Sequence, residues 1–270
     1  MNESVLEALV LGLIQGLTEF LPVSSDGHLA LAGFLFGFQE SGLTLTVLLH
    51  AGTVLATALV LRERVGRTII AGVKGLFRPS TFVREEAGQD ALFVLAASVP
   101  TGVIGLCLRD AVAQWTHSPL IVGVGFLITA LVLASTAWAP SGQNEHPSVR
   151  AALIVGTMQG LAVAPGVSRS GLTIASLLFL GVQRGRAFEL SMLMSLPVIV
   201  GAILLEAVSH LAEMSGLGVA AMGTVVAFAS GVAALLVLRR IVVGGRFHWF
   251  ALWVMPLALA TLAMARAWPR

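Results

Sequence analysis

Six apolar runs, at about 43–61, 91–108, 119–138, 188–207, 219–238 and 249–265, are each long enough to cross a bilayer, which takes roughly 17 to 25 helical residues. Few folds are open to such a chain, because every backbone polar group inside lipid must find its partner within the protein. Composition agrees: 57% of the residues are hydrophobic and 11% charged, against about 25% charged in soluble domains. The expected class is therefore all-α: a polytopic membrane protein with one membrane domain over residues 1–270 and six transmembrane helices. The N-terminus opens acidic, with Glu3 and Glu7, and runs into Phe-Leu-Pro-Val-Ser-Ser instead of a small-residue cleavage site, so it reads as part of the mature protein. Cys107 lies inside an apolar run and reads as a small core side chain. A net charge of +2 could point to nucleic acid, but the basic residues sit in short loops between runs. That is a topology signal, and no nucleic-acid partner is expected.

Two further stretches, Gly12 to Gly37 and Gly156 to Gly181, are interrupted near their middles by Gly, Pro, Ser and charge. An offset of 144 superposes Gly12, Gln15, Gly16, Leu17, Val23, Ser24 and Gly27 on Gly156, Gln159, Gly160, Leu161, Val167, Ser168 and Gly171. Identities so dense in so short a window indicate an internal duplication, with repeats at about 5–61 and 149–207. Pro-Val-Ser-Ser and Pro-Gly-Val-Ser cannot continue a helix, so each is read as a re-entrant helix-loop-helix segment. Three spans, 43–61, 91–108 and 119–138, lie between the two interrupted stretches. An odd number of crossings inverts the second repeat, and the two loops can then meet near the midplane, the arrangement of broken helices around a central site.

Charge tests the topology separately. Arg62, Arg64, Arg67, Lys74, Arg78 and Arg84, with Arg150, Arg184, Arg186, Arg239, Arg240 and Arg246, fall on one face, and Arg109, Arg266 and Arg270 on the other. The first face is expected to be cytoplasmic, which puts both termini and the opening of the site on the outer side. Arg169 belongs to neither face. It sits inside the second broken loop, where an arginine costs about 2.5 to 3.5 kcal/mol to insert and marks a candidate functional site.

If the loops meet, they bring Gln15, Glu19, Ser24, Ser25, Asp26 and His28 to Ser168, Arg169, Ser170 and Thr173. Gly27, Gly166 and Gly171 let backbone amides approach a ligand, and helix N-termini attract anions. Arg169 can clamp two phosphate oxygens. Gln15 and Glu19, four residues apart on one helix face, offer oxygen ligands to magnesium or calcium. Ser25 is the candidate nucleophile, with His28 three residues on as its proton partner. Plainer readings stand beside these. Ser24, Ser168, Ser170 and Thr173 could be interhelical glue, Gln15 could pair with Gln159, and Glu19 with Arg169 could be a structural ion pair. His50, alone in the 43–61 run, reads as a core histidine. The stretch 78–90 reads as an exposed loop or surface helix, and Met192, Met194 and Pro197 as packing and a kink.

The segments QGLTEFLPVSSDGHL and PGVSRSGLTI, with LLHAGTVLA, ASVPTGVIG and SMLMSLPVIVGA in matching order, resemble the undecaprenyl-diphosphate phosphatase family, also called the bacitracin-resistance protein family. The resemblance implies hydrolysis of undecaprenyl diphosphate to the monophosphate, recycling the carrier of cell-wall precursors in the bacterial inner membrane. It implies a metal ligand in Glu19 with Gln15 as its variable partner, a nucleophile in Ser25 and a catalytic histidine in His28. Arg169 then matches a phosphate-binding arginine, and Ser168 and Thr173 further phosphate contacts. A divalent cation and a homodimer are implied as well. Asp26 stands where a small hydroxyl residue is common, and Trp253 and Val254 stand near the family's usual Tyr-Arg pair. The main rival reading is a flippase that moves the lipid phosphate without cleaving it.

Overall fold

Proline decides where the first helix stops. In the computed structural model, which describes residues 5–36, 43–209 and 216–267, α1 (Val5–Phe20) ends just before Leu21-Pro22, and α2 (Ser25–Phe36) begins directly after Ser24. The pattern recurs in α8 (Val149–Leu161) and α9 (Arg169–Phe179), separated by a loop containing Pro165-Gly166. The sequence offset of 144 also carries α3 (Leu43–Val60) onto α10 (Arg184–Ser209). Between the repeats lie α4 (Arg62–Phe77), α5 (Thr81–Arg84), α6 (Glu86–Trp115) and α7 (Pro119–Ser135). α11 (Leu217–Val243) and α12 (Ala251–Ala267) complete the chain, and no β-strand occurs among the described residues.

Among the described residues, five helical stretches are long and apolar enough to cross a membrane: Glu86–Trp115, Pro119–Trp138, Arg184–Glu206, Leu217–Val243 and Phe247–Ala267. The remaining expected span, 43–61, is α3, which passes the same test together with α4, the two being bent apart by 93°. Serine side chains start several helices by accepting a backbone N–H three residues on: Ser118 from Ile121, Ser148 from Ala151 and Ser168 from Gly171.

Helices cross closely where the repeated glycines fall. A Cβ on Gly12 would lie 2.4 Å from the Gly223 carbonyl oxygen, and one on Gly16 2.4 Å from that of Ala227, so α1 rests directly on α11. In the second repeat a Cβ on Gly156 would lie 2.2 Å from the Ala97 oxygen, and Gly160 abuts Thr101 and Ile104, so α8 rests on α6 in the same way. With no hydrophobic force between helices in lipid, such close backbone approach supplies the attraction, and Thr101 adds a hydroxyl bond to the Gly156 carbonyl at 2.8 Å. Met192 and Met194 are buried, as expected, and Pro197 lies inside α10.

Three expectations change. Cys107 is exposed and not in the core, because in a bilayer the outward face of a span can be as apolar as its packed face. The stretch 62–90 is mostly helix: Thr68, Ala71 and Gly75 bury one small-residue stripe of α4, while Ile69, Ile70, Val73, Leu76 and Phe77 lie exposed. Within 78–90, Asp90 is buried, ion-paired to Arg186 and, at 2.9 Å, to Arg64; desolvated charge is tolerated there only because it is matched. Glu3 and Arg270 lie outside the described residues.

Candidate active site

The two broken loops meet. A Cβ on Gly27 would come within 2.8 Å of the Gly166 Cα, one on Gly171 within 3.5 Å of Pro22, and the Arg169 guanidinium contacts Glu19 Oε1. Between them lies a cavity of about 140 Å³. Thr18, Glu19, Ser24, Ser25, Asp26 and His50 line it from the first half of the chain, and Gln159, Ser168 and Arg169 from the second. Val163, Val198, Ile199 and Ala202 give it an apolar wall. A larger hollow of about 300 Å³ lies elsewhere, against Ser141, Gln143, Gln183 and Arg184, and shares none of these groups.

Freed backbone groups in the loops are satisfied locally. Thr129 of α7 donates to the Gly166 carbonyl at 2.8 Å and accepts from the Ser168 N–H at 2.9 Å. Gly166 takes φ +87° without strain, whereas Ser24 takes φ +68°, a left-handed conformation that is costly for a residue with a Cβ. The Ser24 hydroxyl accepts from the Gly27 N–H at 3.3 Å, and its carbonyl accepts from His28 Nδ1 at 2.9 Å. This strained turn presents the next residue, Ser25.

Glu19, on the last turn of α1, is the hub. Its Oε2 accepts from the Ser25 hydroxyl at 2.7 Å and from Gln15 Nε2 at 2.9 Å, while Oε1 is held by Arg169. Because Ser25 donates its hydrogen to a carboxylate, its oxygen lone pairs are left for an electrophile and its proton already has a destination. A guanidinium carries five N–H donors, so Arg169 can hold Glu19 and still offer donors to an anion.

Not all of the expected residues reach the cavity. Gln15 is buried behind Glu19 with its carbonyl oxygen unpartnered among the described residues, and it does not hydrogen-bond Gln159, which donates to Thr101 and to the Met194 carbonyl. The Gly171 N–H is spent donating to the capping Ser168 hydroxyl at 3.1 Å, and Ser168 also meets Ser170 at 3.3 Å. Thr173 is buried against Ser191 at 2.6 Å. His28 stacks edge-on to Phe126, and its Nε2 accepts from the Trp253 indole at 3.4 Å. Sequence reasoning placed none of Thr129, Ser191 and Trp253 at the site, and it assigned His50 to the core. The spacing of His50, Thr53 and Thr57, which marks one inward polar face of α3, was the available signal.

Among the described residues no cluster of three His, Cys, Asp or Glu side chains could hold a metal ion alone. The cavity does carry two carboxylates, Glu19 and Asp26, which is the usual protein share of a magnesium site completed by substrate phosphates. The donor set thus fits a hard cation that arrives with an anionic substrate, with Gln15 buttressing Glu19 instead of reaching the cavity.

The family described as Bacitracin resistance protein BacA matches residues 8–260. Among curated relatives, an undecaprenyl-diphosphatase from Desulfosudis oleivorans is 42% identical over 91% of this chain and 93% of its own. Those of Desulfatibacillum aliphaticivorans and Parabacteroides distasonis are 39% and 37% identical, over 91% and 95% of this chain and 93% and 97% of theirs.

Proposed function

The chain belongs to the Bacitracin resistance protein BacA family, and we propose that it shares the activity its relatives are named for, hydrolysing undecaprenyl diphosphate to undecaprenyl phosphate and inorganic phosphate. The observation that carries this reading is the Ser25–Glu19–Arg169 constellation on the wall of one cavity. Ser25 Oγ attacks the terminal phosphorus. As that bond forms, the hydroxyl hydrogen passes to Glu19 Oε2, and the bond from phosphorus to the bridging oxygen breaks, releasing the lipid monophosphate with its electron pair. Water then attacks the phosphoserine, the phosphorus–Oγ bond breaks, Ser25 recovers its hydrogen from Glu19, and phosphate leaves with the hydrogens of the water. Arg169 stabilises the charge on the non-bridging oxygens during both displacements.

Glu19 and Asp26 would hold the magnesium or calcium ion together with substrate oxygens. Such an ion supplies Lewis-acid withdrawal of charge from the phosphates. The apolar wall of Val163, Val198 and Ile199 suits the first isoprene units of the lipid. To the same proposal belong the bacterial inner membrane as location, a cavity opening on its outer side, inversion of one repeat relative to the other, and a homodimer.

Phosphate release from a long-chain prenyl diphosphate by the purified protein tests the reading. Release should stop with a chelator and return with magnesium or calcium. Translocation of the lipid in vesicles without any phosphate release would instead establish the flippase.

A further inference from the structure

The two histidines of the first repeat have opposite surroundings. His28 has both ring nitrogens engaged, Nδ1 on the Ser24 carbonyl and Nε2 on the Trp253 indole. His50 sits on α3, its Nδ1 2.9 Å from the Thr46 carbonyl oxygen. A carbonyl only accepts, so Nδ1 carries the hydrogen and Nε2 is left with its lone pair. On the same helix face Thr53 and Thr57 satisfy themselves on the His50 and Thr53 carbonyls, at 2.8 and 3.2 Å. The imidazole instead lines the cavity, with Glu19, Ser25, Asp26 and Arg169.

Charge makes that position consequential. The cavity must accept a diphosphate although two carboxylates line it and its one guanidinium is already shared with Glu19. The His50 ring, fixed by Thr46, presents its second nitrogen to this cavity and adds no further carboxylate to it.

We propose that His50 is a substrate-contacting residue of this site, its Nε2 sharing one hydrogen with a phosphate oxygen of the diphosphate. The inference rests on reading the cavity as the diphosphate site. No bond to phosphorus is made or broken by it: the shared hydrogen lies between nitrogen and oxygen, whichever carries it, while Nδ1 keeps the ring aimed through Thr46.

The test compares His50→Leu with His50→Gln, which keeps a hydrogen-bonding end. KM for a prenyl diphosphate is measured, together with direct binding of its non-hydrolysable methylene-bridged analogue and the melting temperature in detergent. His50→Leu should weaken analogue binding by about ten- to a hundredfold, the loss of one hydrogen bond to a charged group. It should raise KM more than it lowers kcat, and His50→Gln should recover most of the loss. Unchanged analogue binding by His50→Leu overturns the proposal, as does an equal loss in both variants that tracks a lowered melting temperature. Analogue binding that depends on His50 in a protein that hydrolyses nothing would uphold the contact while refuting the phosphatase reading.

Discussion

Ser24 is the one non-glycine residue in the left-handed region among the described residues, and the residue it presents, Ser25, hands its hydrogen to Glu19. The strain is held by a hydroxyl cap on Gly27 and by the His28 imidazole. Opposite them, Arg169 is both an ion-pair partner of Glu19 and a wall of the cavity, which fits the structural reading and the proposed catalytic one alike. Arg169→Lys separates them, because lysine keeps the charge but loses the planar fork. Hydrolysis should fall by about a hundredfold or more, while the melting temperature stays within a few degrees. Retained activity would reduce Arg169 to a counter-ion. The motif residues Glu19, Ser25 and Arg169 were legible in sequence because backbone-breaking residues and charge coincide there. His50 was not: a lone histidine in an apolar run looks the same whether it faces packing or a cavity, and only the threonines spaced along its face distinguish the two.

At the scale of elements, five of the six expected spans were legible from hydropathy, with α3 joining them only together with α4, and the repeated glycines were legible from the offset. What the glycines do was not. Gly156 and Gly12 seat the broken helices of each repeat against a long helix, and a methyl group there meets backbone oxygen, which cannot give way as a side chain tip can. Gly156→Ala should therefore cost about 1 to 3 kcal/mol in detergent unfolding. Gly66→Ala, with nothing within 4 Å of the added atom, should be neutral or stabilise by up to about 1 kcal/mol. Equal effects at both positions would contradict the close-crossing account. α4 and its 93° turn from α3 escaped sequence reading because its charges hide an apolar stripe behind a loop-like composition. The cluster that pins this region centres on Asp90, which Arg64 and Arg186 share. Asp90→Ala leaves two guanidiniums without their buried partner and should cost about 3 to 5 kcal/mol; a loss under about 1 kcal/mol would show the cluster to be solvated.

For the whole molecule, Glu19 and Arg169, 150 positions apart, come into contact where the two broken loops meet, as the expected duplication would have it. The proposed membrane orientation rests on the lopsided arginine and lysine distribution, and labelling tests it. With the exposed Cys107 replaced by serine, an impermeant thiol reagent added outside cells should label a cysteine at position 2 and spare one at position 74. The reverse pattern would invert the topology. The central claim is that one site, built from both loops, transfers phosphate through Ser25, and its most direct measurement is phosphate release by purified Ser25→Ala beside a binding assay for the same prenyl diphosphate. The account predicts that release falls at least about a thousandfold, while lipid binding stays within a few-fold because Arg169 and the cavity wall remain. Near-normal release from Ser25→Ala would contradict it.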